Sequence, residues 1–130
     1  ENSDARIRAE ALRILSHRWK ELPDAMKVLE KAVADENAQV RLWAVAVLAP
    51  LVEEILFRGL LQNAFAKRMP IWAAIALASA IFAAVHMQFY AFPALMVMGA
   101  SFGLLYHLTG SLRVNIVVHM INNAAALLLT

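Results

Sequence analysis

From Leu42 to Thr130 the chain holds few charged residues, and its only two acidic ones, Glu53 and Glu54, stand side by side in the apolar run "APLVEEILFRG". A charged side chain near the middle of a membrane helix costs about 2.5–3.5 kcal/mol on insertion scales, so such residues are expected to be paired and to face a protein interior or a wet cavity. The surrounding sequence argues for that setting. Four apolar segments, 42–66, 71–87, 91–108 and 114–129, each approach the roughly 20 residues that span a bilayer. They are separated by "KRMP", "HMQFYAFP" and "TGSLR", each carrying Pro or Gly. The whole chain is 62% hydrophobic with a mean hydropathy of +0.60, more apolar than an ordinary soluble domain of this size. The expectation is a multi-pass integral membrane protein in contact with the lipid bilayer. The competing arrangement, a water-soluble bundle with these helices as its core, requires a polar face that they hardly show.

Residues 1–41 differ sharply, with eight Lys/Arg and eight Asp/Glu. Within the first 48 residues "NSDARIRAEALRIL" overlays "DENAQVRLWAVAVL", matching Ile7 with Val40, Arg8 with Arg41, Ala11 with Ala44 and Leu15 with Leu48. Between them "LPDAMKVLEKAVAD" places Leu22, Met26, Leu29 and Val33 on one helical stripe. This order of helix, turn, helix, turn, helix resembles a HEAT-type repeat. Repeat surfaces commonly recruit partners, so a protein partner is expected for this segment. The reading is therefore an all-α chain, with a HEAT-like helical hairpin over 1–41 and a four-helix transmembrane core over 42–130.

Lys67, Arg68 and Arg113 would lie on one side of the membrane, the cytoplasmic one by the positive-inside tendency, which puts the N-terminal segment outside. The chain begins at Glu1 and shows no basic segment followed by a short apolar one, so no signal peptide is expected and the N-terminus reads as processed or excised. The net charge of +2 and the lack of a basic run interleaved with aromatics exclude a nucleic-acid footprint. With no cysteine, disulfides, thiolate metal sites and cysteine nucleophiles are excluded as well. In the third segment "GASFG" spaces Gly99 and Gly103 by four, a small-residue face that permits close approach of helix backbones.

The polar residues left in the apolar region are sparse and patterned. Glu54 and Arg58 are four apart, on one helical face, where carboxylate and guanidinium can pair. Glu53 is turned about 100° from Glu54 and has no oppositely charged partner at helical spacing. Pro50 suits a first helical turn or a kink just ahead of the glutamates. Phe82 and His86 in "FAAVH", and His119 and Asn123 in "HMINN", are also four apart. A single histidine on an apolar helix is usually structural. Two of them, with an asparagine one turn on and a carboxylate pair, point instead to chemistry. His107 beside a break and His17 in the polar segment are assigned no role.

These residues resemble, in order and on successive helices, the EExxxR, FxxxH and HxxxN motifs of the CAAX protease and bacteriocin-processing family, also called Abi. "EEILFR" supplies Glu53, Glu54 and Arg58, "FAAVH" supplies Phe82 and His86, and "HMINN" supplies His119 and Asn123. The resemblance covers residues 49–129. It implies an intramembrane helical protease without cofactor, acting on peptide or prenylated protein substrates. It also implies Glu53 as general base for a water, His86 as its orienter, and His119 with Asn123 as the oxyanion site, while Glu54 and Arg58 form a supporting pair. Family members usually carry further membrane helices ahead of the glutamate motif, where this chain has its repeat-like segment. Two other readings stand beside it: a zinc metalloprotease using Glu53, His86 and His119, although HExxH is absent, and a non-catalytic membrane-embedded binding or immunity protein whose polar cluster fixes helix register.

Overall fold

The computed structural model describes residues 4–18 and 25–129, and every regular element in them is helical. The order is α1 (Ala5–Arg18), α2 (Ala25–Val33), α3 (Ala38–Glu54), a π-helix (Ile55–Gln62), α4 (Asn63–Ala66), α5 (Ile71–Val85), a short 3-10 turn (Phe89–Ala91), α6 (Phe92–Thr109) and α7 (Leu112–Leu129). Local chemistry sets the ends. Asn37 Oδ1 accepts from the amides of Gln39 and Val40 at 2.9 and 3.4 Å, capping α3. Pro93 occupies the first turn of α6, where its missing N–H costs nothing. Gly110 closes α6 in the left-handed conformation (φ 62°), and its amide reaches the Tyr106 carbonyl at 2.8 Å.

The chain divides into two compact units, Glu1–Leu51 with Val117–Thr130, and Val52–Ile116. In the first, Leu12, Val40, Trp43, Ala44 and Val47 are buried. Arg8 grips Asp35 through two bonds, Nε to Oδ2 at 2.6 Å and Nη2 to Oδ1 at 2.9 Å. Arg41 donates instead to the carbonyls of Asp35 and Glu36. The positions paired by the internal repeat thus differ in environment: Val40 is buried whereas its counterpart Ile7 is 52% exposed. Leu22 lies outside the described residues, as do the side chains of Leu15, His17, Met26 and Leu29.

In the second unit α5 packs along α6, and the π-helix packs on both. Gly99 allows the closest approach: a Cβ there would meet the Ser79 Cα at 3.2 Å and the Phe82 ring at 3.2 Å. This is the small-residue contact expected from "GASFG".

The four apolar segments are all helical, with differences in kind. Two helices, Phe89–Thr109 and Leu112–Leu129, are long and apolar enough to cross a membrane, and little of either is buried within the protein. Helix α5 is as apolar but has 15 residues. The run from Ala38 to Ala66 is long enough but contains Glu53, Glu54 and Arg58. Pro50 neither starts nor breaks a helix; it lies buried inside α3, which runs through it. The irregularity comes next, where bonding widens to the i→i+5 pattern of a π-helix.

Candidate active site around the glutamate pair

Glu54 is the last residue of α3 and is completely buried. Both its oxygens are taken. Oε1 accepts from Arg58 Nη1 at 2.9 Å, and Oε2 from Asn115 Nδ2 at 3.1 Å. Arg58, itself 2% exposed, uses Nη2 to reach the Gly99 carbonyl at 2.9 Å. Its guanidinium carbon lies 5.0 Å from the Phe82 ring centre, 5.3 Å from Phe102 and 6.0 Å from Phe57. A buried ion pair is tolerable when its remaining donors and acceptors are satisfied, and aromatic faces favour the cation further. The pairing expected from the four-residue spacing is present, although the arginine stands on π rather than α turns.

Two buried residues extend this network beyond the motif positions. Asn115 Nδ2 also donates to the Phe102 carbonyl at 2.7 Å, so the amide ties α7 to α6 and to the glutamate. With two acceptors facing Nδ2 the amide orientation is fixed, and Oδ1, also buried, has no hydrogen-bond partner among the described residues. Gln62 Nε2 donates to the Gly103 carbonyl at 3.0 Å. Three carbonyls of α6, those of Gly99, Phe102 and Gly103, therefore each receive a side-chain donor. Gly103 is small for this reason: a Cβ there would come within 2.8 Å of Gln62 Oε1 and 3.0 Å of Ile75 Cγ2.

A sequence signal for both residues existed. Glu54, Arg58 and Gln62 recur every fourth residue, and so do Asn115, His119 and Asn123. The motif reading took the named members of each series and passed over Gln62 and Asn115.

Glu53 is half-buried and belongs to the same compact unit as Glu54, Arg58 and His86. His86 caps the C-terminus of α5. Its Nδ1 is 2.7 Å from the Phe82 carbonyl oxygen, and its ring stacks at a tilt on Phe82 with centroids 4.5 Å apart. A carbonyl only accepts, so Nδ1 carries the proton and, in the neutral ring, Nε2 presents a lone pair. The FxxxH motif thereby has a physical content: the phenylalanine backbone selects the tautomer while its ring fixes the imidazole plane.

His119 and Asn123 belong to the other unit. His119 is buried. Asn123 is half-buried and lines a groove of about 300 Å³ with Leu42, Val45, Ala46, Ala126 and Leu127. Among the described residues no three His, Asp or Glu side chains are grouped so as to hold a metal ion.

The model of the family described as Type II CAAX prenyl endopeptidase Rce1-like matches residues 36–125. The chain belongs to this family. The match covers the glutamate, histidine and asparagine motifs and begins two residues before α3. Family membership marks the chain as a protease of CAAX type at the level of the family. No curated protein and no solved structure matches it.

Proposed function

We propose that this Rce1-like chain is a multi-pass intramembrane endopeptidase that cleaves prenylated CAAX substrates with a water activated by glutamate, without a metal. The observation that carries the assignment of roles is the contrast between the adjacent glutamates. Glu54 is closed off, with both oxygens bonded inside the protein. Glu53 remains the more accessible carboxylate of the pair.

In this reading Glu53 accepts a proton from water as the water oxygen attacks the scissile carbonyl, and His86 orients that water through Nε2. The carbonyl oxygen becomes an oxyanion, stabilised by His119 and Asn123 as hydrogen-bond donors. Collapse of the tetrahedral species breaks the C–N bond, and the departing amine takes the proton from Glu53. Glu54 and Arg58 hold the helix that carries Glu53. The segment 38–66 and helix α5 accompany the two longer apolar helices in the membrane, their charges turned inward.

The test is cleavage of a farnesylated CAAX peptide by the full chain in detergent, beside Glu53→Gln and with a strong chelator. Cleavage that survives chelation and disappears in the variant is the expected result. Loss on chelation would favour the zinc reading with Glu53, His86 and His119. Binding of the peptide without cleavage, unchanged in Glu53→Gln, would favour a non-catalytic binding protein.

A further inference from the structure

Between Arg68 and Arg113 the chain has no Asp, Glu, Lys or Arg, and this uncharged stretch is the α5–α6 hairpin with its flanks. The two ends of the hairpin differ in character. At the open end the exposed Lys67, Arg68 and Arg113 accompany Trp72, which is 65% exposed and packs edge-on with His107 at 6.2 Å. At the closed end His86 caps α5, Met87 takes a left-handed conformation (φ 54°), and the 3-10 turn Phe89–Ala91 leads into α6. This turn is apolar and uncovered: Met87 is 72% exposed, Phe89 80%, and Tyr90 fully.

We propose that the turn Met87–Tyr90 is an interfacial anchor, seating the closed end of the hairpin among the lipid headgroups with Phe89 and Tyr90 in contact with lipid. The inference rests on the membrane part of the proposed function and deepens it. Aromatic side chains with an apolar body, and a polar tip in the case of tyrosine and tryptophan, concentrate at both membrane–water interfaces. Here they stand at both ends of one hairpin, Trp72 at one and Phe89 with Tyr90 at the other. The wall between the ends is apolar and outward-facing, with Val97 67% and Leu108 73% exposed. Length points the same way. Helix α5 has 15 residues, about 22 Å at 1.5 Å per residue, short of the roughly 30 Å hydrocarbon core. The turn beyond it must continue the membrane-facing surface to reach the far interface. A charged partner surface would find nothing complementary on this tip. The anchor also holds His86, the residue just before the turn, at a depth that water reaches, as hydrolysis requires.

The absence of cysteine allows a clean test. Tyr90→Cys at the turn, Ser101→Cys midway along α6 and Lys67→Cys at the basic end are each spin-labelled in the full chain, reconstituted in phosphatidylcholine/phosphatidylglycerol vesicles. Accessibility to oxygen and to a water-soluble nickel chelate is then measured. The expected order of the oxygen-to-nickel ratio is Ser101 highest, Tyr90 intermediate and Lys67 lowest, with several-fold steps between them. A Tyr90 label as open to nickel as the Lys67 label, while Ser101 stays shielded from nickel, overturns the anchor and leaves the membrane reading standing. A Tyr90 label closed to both reagents also overturns it, in favour of a covering protein surface. Nickel access at all three positions defeats the membrane reading itself.

Discussion

The guanidinium of Arg58 donates at 2.9 Å to the carbonyl oxygen of Gly99, 41 residues further along the chain. This bond places the glutamate-bearing helix against α6 with the Glu54 carboxylate clamped on the other side of the same guanidinium. Removing the cation leaves a fully buried carboxylate alone, a change that typically costs about 3–5 kcal/mol. Arg58→Met is expected to be destabilised by that amount in reversible denaturation in mixed micelles. Adding Glu54→Gln to it should recover a substantial part, whereas independent effects would simply add.

Asn115→Leu keeps the approximate volume and removes both donors, leaving Glu54 Oε2 and the Phe102 carbonyl without this partner. Hydrogen bonds to charged groups contribute about 1.5–3 kcal/mol. A loss in that range is expected by the same denaturation measurement. A double-mutant cycle with Glu54→Gln should show coupling, which no effect on packing alone would produce.

Gly103→Ala brings a methyl group to within 2.8 Å of the Gln62 amide oxygen, closer than real Cβ contacts allow. Overpacking of this kind costs about 1–3 kcal/mol. The shorter side chain in Gln62→Ala should relieve the clash, so the double variant is expected to be less destabilised than the sum of the two single ones.

The Arg8–Asp35 pair in the N-terminal unit gives a dependence on pH. The hydrogen bonds from Arg8, and next the one from the Asn37 amide, hold the Asp35 carboxyl below its ordinary range. Its folded pKa is therefore lower than the unfolded value of about 3.9. The stability it contributes is complete above that unfolded value and is lost as pH falls through the folded one. Circular dichroism between about pH 5 and pH 2 should show loosening of the N-terminal helices, and Asp35→Asn should flatten that part of the titration.

The sequence disclosed what is local. The breaks at "KRMP", "HMQFYAFP" and "TGSLR" delimit helices because Pro and Gly act on their own neighbours. The Glu54–Arg58 pair was visible because its partners are one turn apart. Gln62 and Asn115 were passed over because their acceptors are backbone carbonyls of α6, and carbonyls leave no mark in a sequence. Gly103 illustrates the same limit: its spacing from Gly99 implied a close approach of helices, whereas what it admits includes the side chain of Gln62. Pro50 suggested a break ahead of the glutamates, yet the helix continues through it and the distortion falls in Ile55–Gln62, where no proline marks it.

That π-helical stretch has a consequence for insertions and deletions. Each residue of an α-helix turns the chain by about 100°. Deleting one residue between Ile55 and Gln62 would let the segment return to the tighter i→i+4 register and rotate everything after it by about that angle. Gln62 would swing away from Gly103, while Glu53 and Glu54, before the deletion, would stay where they are. At this point the number of residues, more than their identity, decides whether the glutamate helix and α6 remain fastened together.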